Sequence, residues 1–176
     1  MSKQRKERGR VPEDKLREMA SPPNGSLFYE TLMLKESAAR CVEPTGKRSL
    51  ETDVPYYMTI ECFLIHFRAL RDFLCPDELV RKKNDNVIAF DYNSEWLQTE
   101  EDWKECSIDE RIRVNRLLAH ISYSRDTLER KWPIEAMRQS MMQRLAQFIL
   151  SLPAKRQEWF ESWGLNKTMA ASIRRV

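Results

Sequence analysis

The chain has 176 residues and a formal charge of +3, enough for one hydrophobic core with tails and too short for two ordinary domains. Four glycines beside abundant Leu, Ala, Met, Arg, Lys, Glu and Gln make a helix-forming composition and argue against a sandwich or barrel. No apolar run approaches the roughly 20 residues that a membrane span requires, and Met1 leads into charged sequence, so the expected setting is the cytoplasm, away from membranes.

Residues 1–25 hold 7 Lys/Arg against 4 Asp/Glu, while residues 26–176 hold 23 against 23, so the whole charge excess sits in the leading segment. That segment is polar and broken by Pro22, Pro23 and Gly25, which predicts a flexible basic arm over 1–25. Such an arm suits phosphate neutralisation on a nucleic acid, although a short basic terminus is more often merely solvated.

From Ser26, the spacing of Leu27, Phe28, Thr31, Leu32, Leu34 and Ala38 predicts a helix that fails by Pro44 and Gly46. Residues 42–53 then read as a connector. Tyr56, Ile60, Phe63, Phe67, Leu70 and Leu74 predict a central helix over Val54–Cys75, with Pro55 in its first turn and Pro76 as the stop. Residues 76–106, rich in Asn and acids, read as a long loop with one helical turn near Trp96.

Ser107 followed by Glu110 forms the pattern of a capping box and opens a helix running to about Arg125. After Pro133, Ile134, Met137, Met141, Leu145, Phe148 and Ile149 predict a helix ending near Ser151. Pro153 can open a short last helix carrying Trp159 and Phe160, stopped by Gly164, with a basic tail over 166–176. The expectation is an all-α antiparallel bundle of four to five helices over 26–165.

Cys41, Cys62, Cys75 and Cys106 are widely spaced, with no CxxC pair and only His66 and His120 to join them, so they read as reduced, half-buried small side chains and not as metal ligands. No metal and no cofactor is expected. His66, between Ile65 and Phe67, reads as structural, and Arg68, Arg71 and Asp72 read as an internal ion-pair network.

The chemistry concentrates on the Ser107 helix. At about 100° per residue, Arg113, Arg116, His120, Tyr123 and Ser124 share one narrow stripe, while Ile108, Ile112, Val114, Leu117, Leu118, Ala119 and Ile121 spread over the other sides. An imidazole can exchange a proton with a ribose hydroxyl, and guanidinium groups can bind phosphate and stabilise developing negative charge. Before any family is considered, the residues favour the plain reading, in which Arg113 and Arg116 are a solvated face paired with Asp109 or Glu110 and His120 hydrogen-bonds within the core.

The stretch Arg113-Val114-Asn115-Arg116-Leu117-Leu118-Ala119-His120 resembles the HEPN superfamily motif, an Arg followed after four to six residues by a His on a late helix of a small all-α chain. The segment from Glu61 through His66 and Arg68 to Phe73, with Tyr123, is similar to bacterial proteins of the same type. Val114 stands where the family often has a polar residue, and Arg116 lies too close to His120 to fit the spacing. The resemblance implies a homodimer and, in active members, metal-independent cleavage of RNA in defence or toxin–antitoxin control. Arg113 would then polarise the phosphate, His120 would transfer a proton or bind phosphate, and Arg116, Tyr123 and Ser124 would contact substrate. A protein antitoxin is a partner by the same analogy. The alternative is a non-catalytic bundle that binds a protein, nucleotide or nucleic acid through the same groove.

Overall fold

A computed structural model describes residues 11–42, 49–82, 85–96, 103–119 and 132–165. Among them every regular element is helical: α1 (Glu13–Ala20), α2 (Ser26–Arg40), α3 (Leu50–Leu74), α4 (Glu78–Lys82), α5 (Ala89–Tyr92), α6 (Ile108–Ala119), α7 (Ile134–Ser151) and α8 (Ala154–Gln157). Two 3₁₀ segments, Lys104–Cys106 and Glu158–Trp163, complete the set. No helix of the described residues is long and apolar enough to cross a membrane.

The fold is organised around α3, which packs along α2 and against α6 and α7. Its inward face is Ile60, Phe63, Leu64, Phe67, Leu70 and Leu74, all buried and recurring at three- and four-residue intervals. α3 begins at Leu50, so Pro55 lies inside the helix and not in its first turn as expected. The pyrrolidine ring removes one backbone donor there.

α7 buries Met137, Met141, Leu145, Phe148 and Ile149, as its periodicity predicts, together with Met142 and Ala146, leaves the expected Ile134 half-buried, and ends at Ser151. Gly164 stops the last 3₁₀ segment with a left-handed φ of 69°, a conformation that a side chain disfavours.

The expected flexible arm is corrected over its second half. Residues 13–20 form α1, which buries Leu16 and Ala20 against the bundle and packs on α2 and on the 3₁₀ segment Glu158–Trp163. A two-turn helix with two inward side chains is too short for periodicity to stand out from a polar background. Residues 1–10, and the tail expected over 166–176, lie outside the described residues.

The 76–106 stretch is likewise less loop-like than its composition suggests. Besides α4 and the 3₁₀ segment Lys104–Cys106 it holds a helical turn at Ala89–Tyr92, ahead of Trp96, where the amide of Ile88 donates to Asp91 Oδ2 at 2.9 Å. Trp96 and Trp103 are fastened by their indole N–H groups, to the Leu74 carbonyl at 2.9 Å and to Ser140 Oγ at 3.0 Å.

Candidate functional site

α6 starts where the sequence places it. Ser107 Oγ accepts the amide of Glu110 at 3.3 Å, which is one half of the expected capping box. The other half is replaced, because the Ser107 amide goes to the Lys104 carbonyl at 3.0 Å and the Glu110 carboxylate turns toward Arg113.

The rotational phase of α6 is set by Arg111, a residue the sequence reading passed over. Arg111 is buried and donates through Nη1 to Asp72 Oδ1 at 2.9 Å and through Nη2 to the Cys75 carbonyl. Asp72 Oδ1 also accepts Nη2 of Arg71 at 3.1 Å and Nε at 3.3 Å, Arg68 Nε lies 3.8 Å from its other oxygen, and Asp77 lies 3.8 Å from Arg111. The expected internal network of Arg68, Arg71 and Asp72 is therefore present, with Arg111 as its link to α6. The guanidinium also sits at the carbonyl end of α3, where a cation is favoured.

With Arg111 and Val114 turned inward and Leu118 half-buried, the opposite side of α6 carries Asp109, Ile112, Arg113 and Arg116. Ile108 and Ile112, read from the sequence as lying on the sides away from the stripe, are 61 % and 41 % exposed, because the Arg111 clamp turns them out of the core. The signal was legible, since Arg111, Val114 and Leu118 stand at i, i+3 and i+7.

Arg113 and Arg116, two of the predicted site residues, lie together on the outward side. Arg116 is exposed. Arg113 is held more closely: its guanidinium carbon lies 3.8 Å from the centroid of the Trp132 ring, and its Nη1 lies 3.6 Å from Glu110 Oε1. Stacking on an indole plus a carboxylate at one edge fixes the plane of the fork. His120, Tyr123 and Ser124 lie outside the described residues. Asn115 is half-buried, and among the described residues its Oδ1 meets no hydrogen-bond donor.

His66, the other histidine, is away from this stripe and structural as expected. Its Nδ1 is 2.7 Å from Glu30 Oε2, and because a carboxylate only accepts, the ring donates there and ties α3 to α2. Cys41, Cys62 and Cys75 are free thiols, and burial pushes the Cys41 thiol up from its ordinary range. Among the described residues no group of three or more His, Cys, Asp or Glu side chains is placed so that it could hold a metal ion.

A scan against protein-family models finds no match for this chain, and searches of curated proteins and of solved structures find none either.

Proposed function

We propose that the chain is a HEPN-type helical bundle that cleaves RNA without a metal ion, using the outward side of α6. The observation that carries this reading is the phase of α6. The Arg111 clamp directs Arg113 and Arg116 to the side away from α3, and His120 follows Ala119, the last described residue of the helix, in sequence. Arg116 and Arg113 would hold the phosphate. His120 would accept the proton of the ribose 2′-hydroxyl as that oxygen attacks the adjacent phosphorus. The phosphorus to 5′-oxygen bond then breaks, the leaving oxygen is protonated, and the products carry a 2′,3′-cyclic phosphate and a 5′-hydroxyl. Tyr123 and Ser124 are proposed to contact substrate. A cytoplasmic setting, a role in defence or toxin–antitoxin control and a protein antitoxin belong to the same proposal.

The test is incubation of the purified protein with end-labelled single-stranded RNA in a chelating buffer, beside His120→Ala with its helical circular dichroism verified. Cleavage to cyclic-phosphate ends by the wild type alone supports the reading. Absence of turnover by folded protein across varied RNAs overturns it.

One observation favours the second reading, a bundle that binds without cleaving. The Arg113 guanidinium is already engaged by Trp132 and Glu110, so phosphate would have to compete for it. Under that reading RNA is retained on a filter intact, and Arg116→Ala weakens retention while His120→Ala does not.

A further inference from the structure

A groove runs between α1 and the stretch formed by α8 and the last 3₁₀ segment. Two cavities of about 440 and 510 Å³ share Arg17, Ser21 and Trp159 in their lining, so they are the two ends of one groove. Glu13 and Asp14 line one end, Glu158 and Glu161 the other, all exposed, and at each end carboxylates outnumber the cations Arg17 and Lys155. Among the described residues Glu13, Glu158 and Glu161 stand in no ion pair. Between the ends lies Trp159, only 8 % exposed, which meets solvent in this groove. Trp96, Trp103 and Trp163 each give their indole N–H to a protein acceptor, Trp96 and Trp163 to main-chain carbonyls at 2.9 and 2.8 Å. The N–H of Trp159 has no acceptor among the described residues, although Arg156 stands over its ring, with the guanidinium carbon 5.8 Å from the centroid. An indole N–H so nearly enclosed takes a partner where one can reach it, and the groove is the way in.

The lining selects the occupant. A bare cation satisfies the carboxylates and brings nothing to the indole, while a carboxylate or phosphate that could accept from it is repelled by the acids at both ends. A main-chain carbonyl is a neutral acceptor, and in an extended peptide basic side chains on either side of it reach both ends. Glu13 and Ser21, eight positions apart along α1, span about 12 Å, which about four residues of extended chain cover. Residues four apart in such a chain also project to the same side. We propose that this groove binds an extended segment of a partner protein, with basic side chains about four residues apart at its acidic ends and a carbonyl between them accepting from Trp159. The inference is independent of the RNA reading, because it uses no residue of α6.

The probe is a capped heptapeptide of alanine with lysine at its second and sixth positions, added to the full chain and followed through the indole N–H resonances by NMR. Trp159→Phe identifies the Trp159 resonance by its loss. That resonance is expected to move on titration, while those of Trp96, Trp103 and Trp163, already bonded within the protein, stay in place. Trp159→Phe keeps an aromatic ring and loses the donor, so it should weaken binding about three- to tenfold with helical circular dichroism unchanged. Glu13→Gln combined with Glu161→Gln, both at exposed positions, should weaken it about threefold or more. The same peptide with glutamate in place of lysine should not bind. No binding of the lysine peptide at millimolar concentration, equal binding of the glutamate peptide, an affinity indifferent to Trp159→Phe, or a Trp159 resonance that moves with single-stranded RNA instead overturns the proposal.

Discussion

Asp72 is half-buried, yet two buried arginines converge on one of its oxygens, Arg71 from its own helix and Arg111 from α6. Removing a carboxylate from such a cluster leaves buried cations under-compensated, which costs about 3–5 kcal/mol when the pairing is close. Asp72→Ala is therefore expected to lower the urea midpoint more than Arg111→Met does. The second change removes one cation and leaves Asp72 still accepting from Arg71. Equal midpoints for the two variants would show that the network is not organised around Asp72. Sequence placed Arg68, Arg71 and Asp72 in one network because they share a helix face, but it could not show that Arg111 closes that network from 39 positions away. At the surface, Glu135 behaves differently. It accepts Arg138 Nε at 2.8 Å and Gln139 at 2.7 Å, and these hydrogen bonds, that of Arg138 first, bring its carboxyl down to about 2. A depressed carboxyl contributes stability above its unfolded value, near 4.5, and loses it as pH falls toward about 2. The group is solvent-exposed, so the contribution is small, and the clear readout is the titration of its side-chain carbon by NMR. A midpoint in the ordinary glutamate range would dismiss the bidentate pairing, and Arg138→Ala is expected to restore that range.

Among the elements, the junction of α1 and α2 depends on a glycine for reasons of space. Gly25 donates its amide to the Ser21 carbonyl at 2.9 Å, and its own carbonyl accepts the Tyr29 amide at 2.9 Å as α2 begins. A β-carbon there would lie 2.5 Å from the Met19 carbonyl oxygen, 2.7 Å from that of Glu18 and closer still to that of Ser21. These are backbone atoms that cannot rotate away, so Gly25→Ala should cost about 1–3 kcal/mol through overpacking and displacement of α1. Chemical denaturation checks this, and a variant as stable as the wild type would mean that the turn relaxes freely. Two stop and start signals were read correctly, since Gly164 ends the last 3₁₀ segment and Pro153 precedes α8, whereas Pro55 was misplaced. Boundaries drifted where periodicity continues past the visible signal, as at Leu50. The helix there starts ahead of Pro55, and Asp53 already donates its amide to the Ser49 carbonyl at 2.8 Å. The candidate site was legible in outline, because Arg113 and Arg116 do share the outward side of α6. The stacking of Arg113 on Trp132 was not, since a contact 19 positions apart leaves no periodic trace.

For the molecule as a whole, the two periodic helices α3 and α7 were readable as its centre, and the segments that close the core around them were not. Closure is made by aromatic side chains whose rings pack together while their polar tips reach backbone carbonyls. Phe148 contacts Phe73, Tyr92, Trp96 and Phe160 at centroid distances of 5.2–5.9 Å. The Tyr92 hydroxyl donates to the Leu16 carbonyl at 2.8 Å, and the Trp163 indole donates to the Ala20 carbonyl at 2.8 Å. Burial and the Asp91 carboxylate push the Tyr92 hydroxyl well above its ordinary range, so it keeps the proton that this bond requires. α1 is thus held through its own backbone by α5 and by the last 3₁₀ segment, and such bonds have no signature in local sequence. The consequence separates α1 as part of the bundle from α1 as a stretch of flexible arm. Leu16 is 2 % exposed, and truncating a side chain so enclosed costs about 2–5 kcal/mol. Leu16→Ala should therefore lower the urea midpoint clearly, while a solvated arm would make the same change neutral. Lys15→Ala is the control: Lys15 is exposed and, among the described residues, bonded only to its helix neighbour Glu18 at 2.9 Å, so its loss should shift stability by no more than about 0.5 kcal/mol. If both variants matched the wild type, α1 would contribute nothing to the folded state, and the core would have to close at Tyr92 and Trp163 without it.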